Sequence, residues 1–119
     1  MTSLLLFSSV IVLVLRTSFS TSAMVLRSVD FEVFGRVQGV FFRKYTKEQA
    51  NKLGLKGWCK NTSQGTVLGQ MQGPAHDVES MMNWLKTTGS PSSQIDKAEF
   101  KNQKNIETYS FNCFDIKKD

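Results

Sequence analysis

Nine residues, GRVQGVFFR from Gly35 to Arg43, combine two glycines, two arginines and an apolar run. A helix N-terminus presents unpaired backbone N–H groups and a partial positive charge, and glycines let the chain curl so that several N–H groups converge on one anion. Arg43 falls near the first turn of the helix that follows, where its guanidinium can fold back and give two parallel hydrogen bonds to a phosphate. Taken alone, the Gly-x-x-x-Gly-x-x-x-Arg spacing also fits a plain strand-to-helix turn, with glycines for geometry and a solvated arginine. The Lys-Ser/Thr ending of an NTP-binding loop is missing, so nucleotide binding is not supported.

Other chemistries lack their residues. The chain has one histidine, His76 in GPAHDVE. It lies far in sequence from either cysteine and reads as a surface or capping residue rather than a triad base. No HExxH or calcium-loop pattern occurs and the carboxylates are scattered singly, which disfavours a metal centre and aspartate-based covalent catalysis. Cys59 and Cys113 have no CxxC or His-rich context. They read as two buried free thiols.

The elements that must position the loop follow from periodicity. Val29, Phe31 and Val33 alternate with Asp30, Glu32 and Phe34, the period of a half-buried strand. Phe42, Thr46, Gln49 or Ala50, and Leu53 then fall at helical spacing, with Gly54 placed to end the helix. Residues 55–60 and 66–72 read as a hairpin around Asn61–Gly65. A second helix carries Val78, Met81, Met82 and Leu85 on one stripe and stops at Gly89, the methionines serving as core filler. A strand through Ile95, Ala98 and Phe100 follows, and IETYSFNCFDI alternates as a well-marked last strand. The order β-α-β-β-α-β, with a strand added at the end, predicts an α+β two-layer sandwich: an antiparallel sheet with two helices on one face.

GRVQGVFFR, followed by GWCKNTSQGTVLGQMQGP and later by GSPSSQID, closely resembles the acylphosphatase family, over residues 28–116. The resemblance implies a ferredoxin-like βαββαβ sandwich and metal-independent hydrolysis of the carboxyl-phosphate bond of acyl phosphates, releasing carboxylate and inorganic phosphate without a cofactor. By position it implies Arg43 as the phosphate-binding arginine and Asn61, of the GW-x-x-N-T segment, as the second catalytic residue. It also implies the backbone amides of Gln38, Gly39, Val40, Phe41 and Phe42 as phosphoryl-oxygen donors. Phe41 and Phe42 are expected to anchor the first helical turn in the core, and Arg36 has no assigned role. On residue type alone Asn61 could equally be a turn residue. Its neutral amide could also hold a water in line without titrating. The scarcity of acid–base residues suits this reaction, because the leaving carboxylate has a conjugate-acid pKa of about 4 and needs no general acid.

Residues 1–23 stand apart. Leu4–Leu15 is a run of apolar and small residues that as a helix would span only about 18 Å, too short for a stable membrane crossing. It reads as a signal-like or optional leader, with small Thr21 and Ala23 as cleavage positions or Met24 as an alternative start. The domain is expected at 24–119, cytoplasmic if initiated at Met24 and otherwise routed by the leader to a secretory or organellar destination. The net charge of +5 falls to +4 without Arg16. Such an excess suits a small anionic substrate or solvated surface lysines. The competing reading is a non-catalytic anion-binding or RNA-binding module of the same fold. The third strand, TVLGQMQG, has no aromatic for base stacking, so no nucleic-acid partner is expected and a monomer acting on a small molecule is.

Overall fold

The computed structural model describes residues 25–118. The elements run β1 Leu26–Arg36, α1 Phe42–Lys52, β2 Lys56–Asn61, β3 Val67–Pro74, α2 Ala75–Thr87, β4 Gln94–Ile106 and β5 Phe114–Ile116. The leader and its two alternative ends lie outside the described residues.

The strands form one sheet in the order β4-β1-β3-β2-β5. The first three pairings are antiparallel, and β5 adds to β2 in parallel, Gly57 opposite Phe114. Side chains alternate between faces as the period-two pattern requires. Val29, Phe31 and Val33 of β1 are buried beneath the helices, together with Cys59, Val67 and Met71 of the neighbouring strands. Each helix supplies one stripe to that layer: Phe42, Thr46 and Ala50 from α1, and Val78, Met81 and Leu85 from α2. Phe42 also meets Trp84 of α2, ring centroids 6.0 Å apart, which locks the start of α1 against its partner helix. The Thr46 hydroxyl, buried in this stripe, donates to the Phe42 carbonyl at 2.8 Å, so it is satisfied in place. Helix α1 closes as expected at Gly54. The Gly54 N–H donates to the Asn51 carbonyl and the Leu55 N–H to the Ala50 carbonyl, which satisfies the last turn.

The last strand differs from its sequence pattern. Residues Ile106 to Cys113 alternate, yet β4 continues to Ile106 and only Phe114–Ile116 pair as β5. The cause is topological. Strands β4 and β5 lie at opposite edges of the sheet, so the connection must cross its whole width, and the helices occupy the other face. The segment therefore runs as a bent strap over the outer face. The Ser110 N–H donates to Gln72 Oε1 at 2.8 Å and Lys56 Nζ lies 4.1 Å from the Tyr109 ring centroid. Tyr109 and Phe111 are half-buried while Ser110 and Asn112 are exposed, so the middle of the strap alternates like a strand without having a ladder partner. Cys113, in the bend just before β5, is exposed, contrary to the expectation of two buried thiols, whereas Cys59 is fully buried.

Candidate active site

The loop between β1 and α1, the first turn of α1, the end of β2 and Ile116 of β5 enclose a cavity of about 310 Å³. Arg43, Lys44 and Asn61 supply its polar wall, and Val37, Phe41 and Ile116 its apolar one. Gly39 and Phe42 line it as well.

The backbone here curls through the left-handed region just ahead of the helix. Gly39 has φ 73° and Phe41 has φ 61°, both left-handed, which curls the loop immediately before the helix. A Cβ on Gly39 would meet nothing within 4 Å, so the glycine is required by its dihedral and leaves the peptide open to an approaching ligand. Among the described residues, no backbone hydrogen bond outside the regular elements is donated by Gln38, Gly39, Val40, Phe41 or Phe42. The capping position of α1 is Phe41, which offers no side-chain acceptor to the first-turn N–H groups. That turn also holds Arg43 and Lys44 and no acidic residue. Two cations at the positive end of a helix oppose its dipole, a choice that makes sense where an anion is to be received.

Gly35 serves a different purpose from Gly39. It sits at a register shift between β1 and β4, and a Cβ there would collide with the Gln94 carbonyl of β4. It permits the two strands to close on each other and does not form the cradle. Arg36 is exposed beside Gln94 and does not line the cavity.

Gln38 ties the two halves of the site together. Its Nε2 donates to the carbonyls of Thr62 and Thr66, each at 2.9 Å, so the loop is latched to the β2–β3 hairpin that carries Asn61. The same hairpin is braced by Thr66 Oγ1, which donates to Glu32 Oε2 at 2.7 Å and lies 2.6 Å from the Thr62 hydroxyl. Gln38 thus turns its side chain to the hairpin, and Val40 is buried in the core. Only their backbone N–H groups remain to be offered to a ligand.

Asn61 ends β2 on the helix-facing side, opposite Val67. Its Oδ1 is buried without a hydrogen-bond partner. A residue serving only an Asx turn would accept a backbone N–H there, so the turn reading leaves this oxygen unexplained. Phe41 corrects the expected anchoring pair. Phe42 is 1% exposed and holds the helix in the core, but Phe41 is 73% exposed. The left-handed dihedral at Phe41 turns its side chain away from the interior, at a cost of about 1–2 kcal/mol for a residue with a Cβ. Sequence reading also missed Lys44, Val37 and Ile116. The adjacent cations Arg43-Lys44 at a helix start were the available signal for Lys44, whereas Ile116 arrives only through the parallel pairing of β5.

Cys59 lies behind the site, its Sγ 4.0 Å from the Arg43 carbonyl. Burial pushes its thiol from 9.0 up to about 12, partly offset by the charges of Arg43 and Lys47, so it stays protonated and is no nucleophile. Above pH 9 the unfolded chain loses this proton while the native one keeps it, so stability from this group is fully present below pH 9 and falls from there toward pH 12. Urea unfolding at pH 8, 9.5 and 10.5 should show wild type losing up to about 1.4 kcal/mol per pH unit more than Cys59→Ala above pH 9. Parallel slopes for the two proteins would show that Cys59 does not titrate in this way.

The outer sheet face offers little to a nucleic acid. On the inner strands it presents Asp30, Glu32 and Phe34 from β1, Leu68, Gln70 and Gln72 from β3 and Trp58 from β2; β3 carries no aromatic for base stacking, and the two carboxylates of β1 repel a phosphate backbone.

Residues 29–116 match a family model described as Acylphosphatase. Acylphosphatase-2 of Gallus gallus is 61% identical over 89 residues, covering 75% of this chain and 86% of the relative. Acylphosphatase-2 of Homo sapiens is 55% identical over 97 residues, covering 82% and 98%. Among solved structures, an acylphosphatase from Coxiella burnetii superposes with a TM-score of 0.70 at 28% identity, covering 78% of this chain and 94% of its own. The acylphosphatase from Bacillus subtilis gives 0.69 at 30% identity, covering 76% and 97%.

Proposed function

The chain belongs to the acylphosphatase family and is an acylphosphatase, and from that premise we propose how its residues divide the reaction. The backbone N–H groups of Gln38 to Phe42 and the Arg43 guanidinium hold the phosphoryl oxygens of an acyl phosphate. The Asn61 Oδ1 accepts a hydrogen bond from a water and aims its oxygen at phosphorus. The water oxygen bonds to phosphorus as the bond from phosphorus to the acyl oxygen breaks, and the carboxylate leaves with the electron pair. The proton of the water passes to a phosphoryl oxygen, giving inorganic phosphate. Such a loose transfer asks for positioning and for charge stabilisation on the equatorial oxygens, which the cradle offers, and for no acid to protonate the leaving group.

The observation that carries this reading is the buried, unpartnered Asn61 Oδ1 in the wall of the cavity that Arg43 also lines. An acceptor without a donor in a desolvated place costs about 1–3 kcal/mol, and a bound water relieves that cost. The cavity is lined by residues between Val37 and Ile116, and the reading is of a monomer whose residues 24–119 carry the reaction, whether the chain starts at Met24 in the cytoplasm or is routed elsewhere by its leader.

Hydrolysis of acetyl phosphate in excess EDTA is the direct test. Release of acetate and phosphate at an undiminished rate is expected. Activity that needs an added divalent ion would overturn the metal-free mechanism, and phosphate binding without turnover would return the chain to a non-catalytic anion-binding module.

A further inference from the structure

Asn61, Thr62 and Ser63 spell Asn-Thr-Ser, the acceptor sequence for an N-linked oligosaccharide, whose middle residue is not proline and whose third is serine or threonine. No other asparagine of the chain has a serine or threonine two places on. The modification would fall on the asparagine that lines the catalytic cavity. The segment also suits the transfer in shape. It is the turn of the β2–β3 hairpin, with Ser63 and Gln64 exposed at its tip. In the finished fold Asn61 is half-buried and its Oδ1 is covered. Strand β5, which closes the β2 edge and brings Ile116 to the cavity, lies at the far end of the chain. During synthesis the acceptor therefore emerges before the strand that completes its surroundings, and its amide is accessible then.

We propose that Asn61 is an N-glycan acceptor whenever the chain enters a lumen that carries out this reaction, and that the glycan closes the active site. The donor is an oligosaccharide linked to a lipid pyrophosphate. The Asn61 Nδ2 bonds to the anomeric carbon of its first sugar as the bond from that carbon to the pyrophosphate oxygen breaks. The lipid pyrophosphate leaves with the electron pair, and the amide proton goes to a base of the transferase. The closure rests on the role of Asn61 assigned above, whereas the transfer does not. A sugar on Nδ2 has to pass through the cavity of about 310 Å³ that Asn61 shares with Arg43, where the phosphoryl group and the attacking water must meet. The consequence is a rule of compartment. Of the destinations a leader can give, a secretory lumen turns the catalytic asparagine into a substrate, and the cytoplasm or an organelle without the transferase leaves it to its own reaction.

The test carries the full chain into the endoplasmic reticulum lumen behind a fused, cleavable secretory signal, beside Ser63→Ala and with the same chains made in a bacterium as unmodified references. Protease protection confirms entry, glycosidase-sensitive gel mobility and peptide mass read the glycan, and acetyl phosphate hydrolysis reads the site. Luminal wild type should carry one glycan, on Asn61, and its glycosylated fraction should show a kcat at least about 10²-fold below that of the bacterial chain. Ser63 is exposed and does not line the cavity, so Ser63→Ala should lose the glycan and keep the bacterial kcat in both compartments. A protease-protected wild-type chain with Asn61 bare would overturn the acceptor assignment. Full activity of the glycosylated fraction, or an equal loss of activity in luminal Ser63→Ala, would overturn the closure. Inactivity of the bacterial wild-type chain would instead overturn the reading of the site, while the glycan on Asn61 would still be read by mobility and mass.

Discussion

Arg43→Ala is expected to abolish nearly all turnover and most of the affinity for phosphate together. The side chain stands in the first turn of α1 and lines the cavity beside Gly39, Phe41 and Phe42. A fork of two parallel donors matches two phosphoryl oxygens, and charge on those oxygens is present in the ground state and redistributes in the transition state. Removing it therefore raises KM and the inhibition constant for inorganic phosphate as well as lowering kcat, with a combined loss in kcat/KM of about 10³-fold or more. Arg43→Lys should recover only part, since an ammonium supplies the charge without the fork. The fold should survive, because the residue is half-buried at the cavity and the core stripe of α1 is Phe42, Thr46 and Ala50. Steady-state kinetics with phosphate as competitive inhibitor, beside a thermal melt, separate these effects. A wild-type KM and wild-type phosphate inhibition in Arg43→Ala would remove Arg43 from the phosphate contact.

The layers of the fold were legible because burial imposes strong periods. The stripe of Val29, Phe31 and Val33 and the helical stripes of Phe42, Thr46, Ala50 and Val78, Met81, Leu85 are buried as their spacing predicts. What periodicity does not encode is which partner an extended segment meets. Residues 107–113 alternate like a strand but serve as a strap, since the decision lies in the sheet order, a long-range property. Dihedral sign is equally silent in side-chain pattern. Phe41 and Phe42 look alike in sequence, and only the left-handed turn between Gly39 and the helix sends one out and the other in. The glycines show the same ambiguity: Gly35 and Gly39 share a motif, yet one relieves a strand contact and the other stands beside open space with a left-handed φ. The site was read in two steps. The loop and Arg43 suggest an anion from local chemistry alone. Asn61, 18 residues away, needed the family resemblance, because an asparagine before a turn is ordinary.

Asn61→Ala should separate from Arg43→Ala in kind rather than degree. The cavity brings Asn61 to the same wall as Arg43, but its amide is neutral and its Oδ1 is an acceptor, which a phosphate oxygen cannot use. It can receive a hydrogen bond from a water, and a water held at the right distance and angle turns a bimolecular attack into an effectively unimolecular one. Loss of that acceptor is expected to lower kcat about 10²- to 10³-fold while KM and phosphate inhibition stay near wild type. Stability should change little or rise, since alanine removes a buried oxygen that has no protein partner. Asn61→Asp keeps an acceptor at the same place but adds a negative charge facing the phosphoryl oxygens, so it should weaken phosphate binding where alanine does not. The two variants together distinguish a water-orienting acceptor from a phosphate ligand. If alanine destroyed phosphate inhibition while turnover at saturating substrate persisted, Asn61 would be a phosphate ligand through its Nδ2, and the attacking water would have to be held by the backbone of the loop instead.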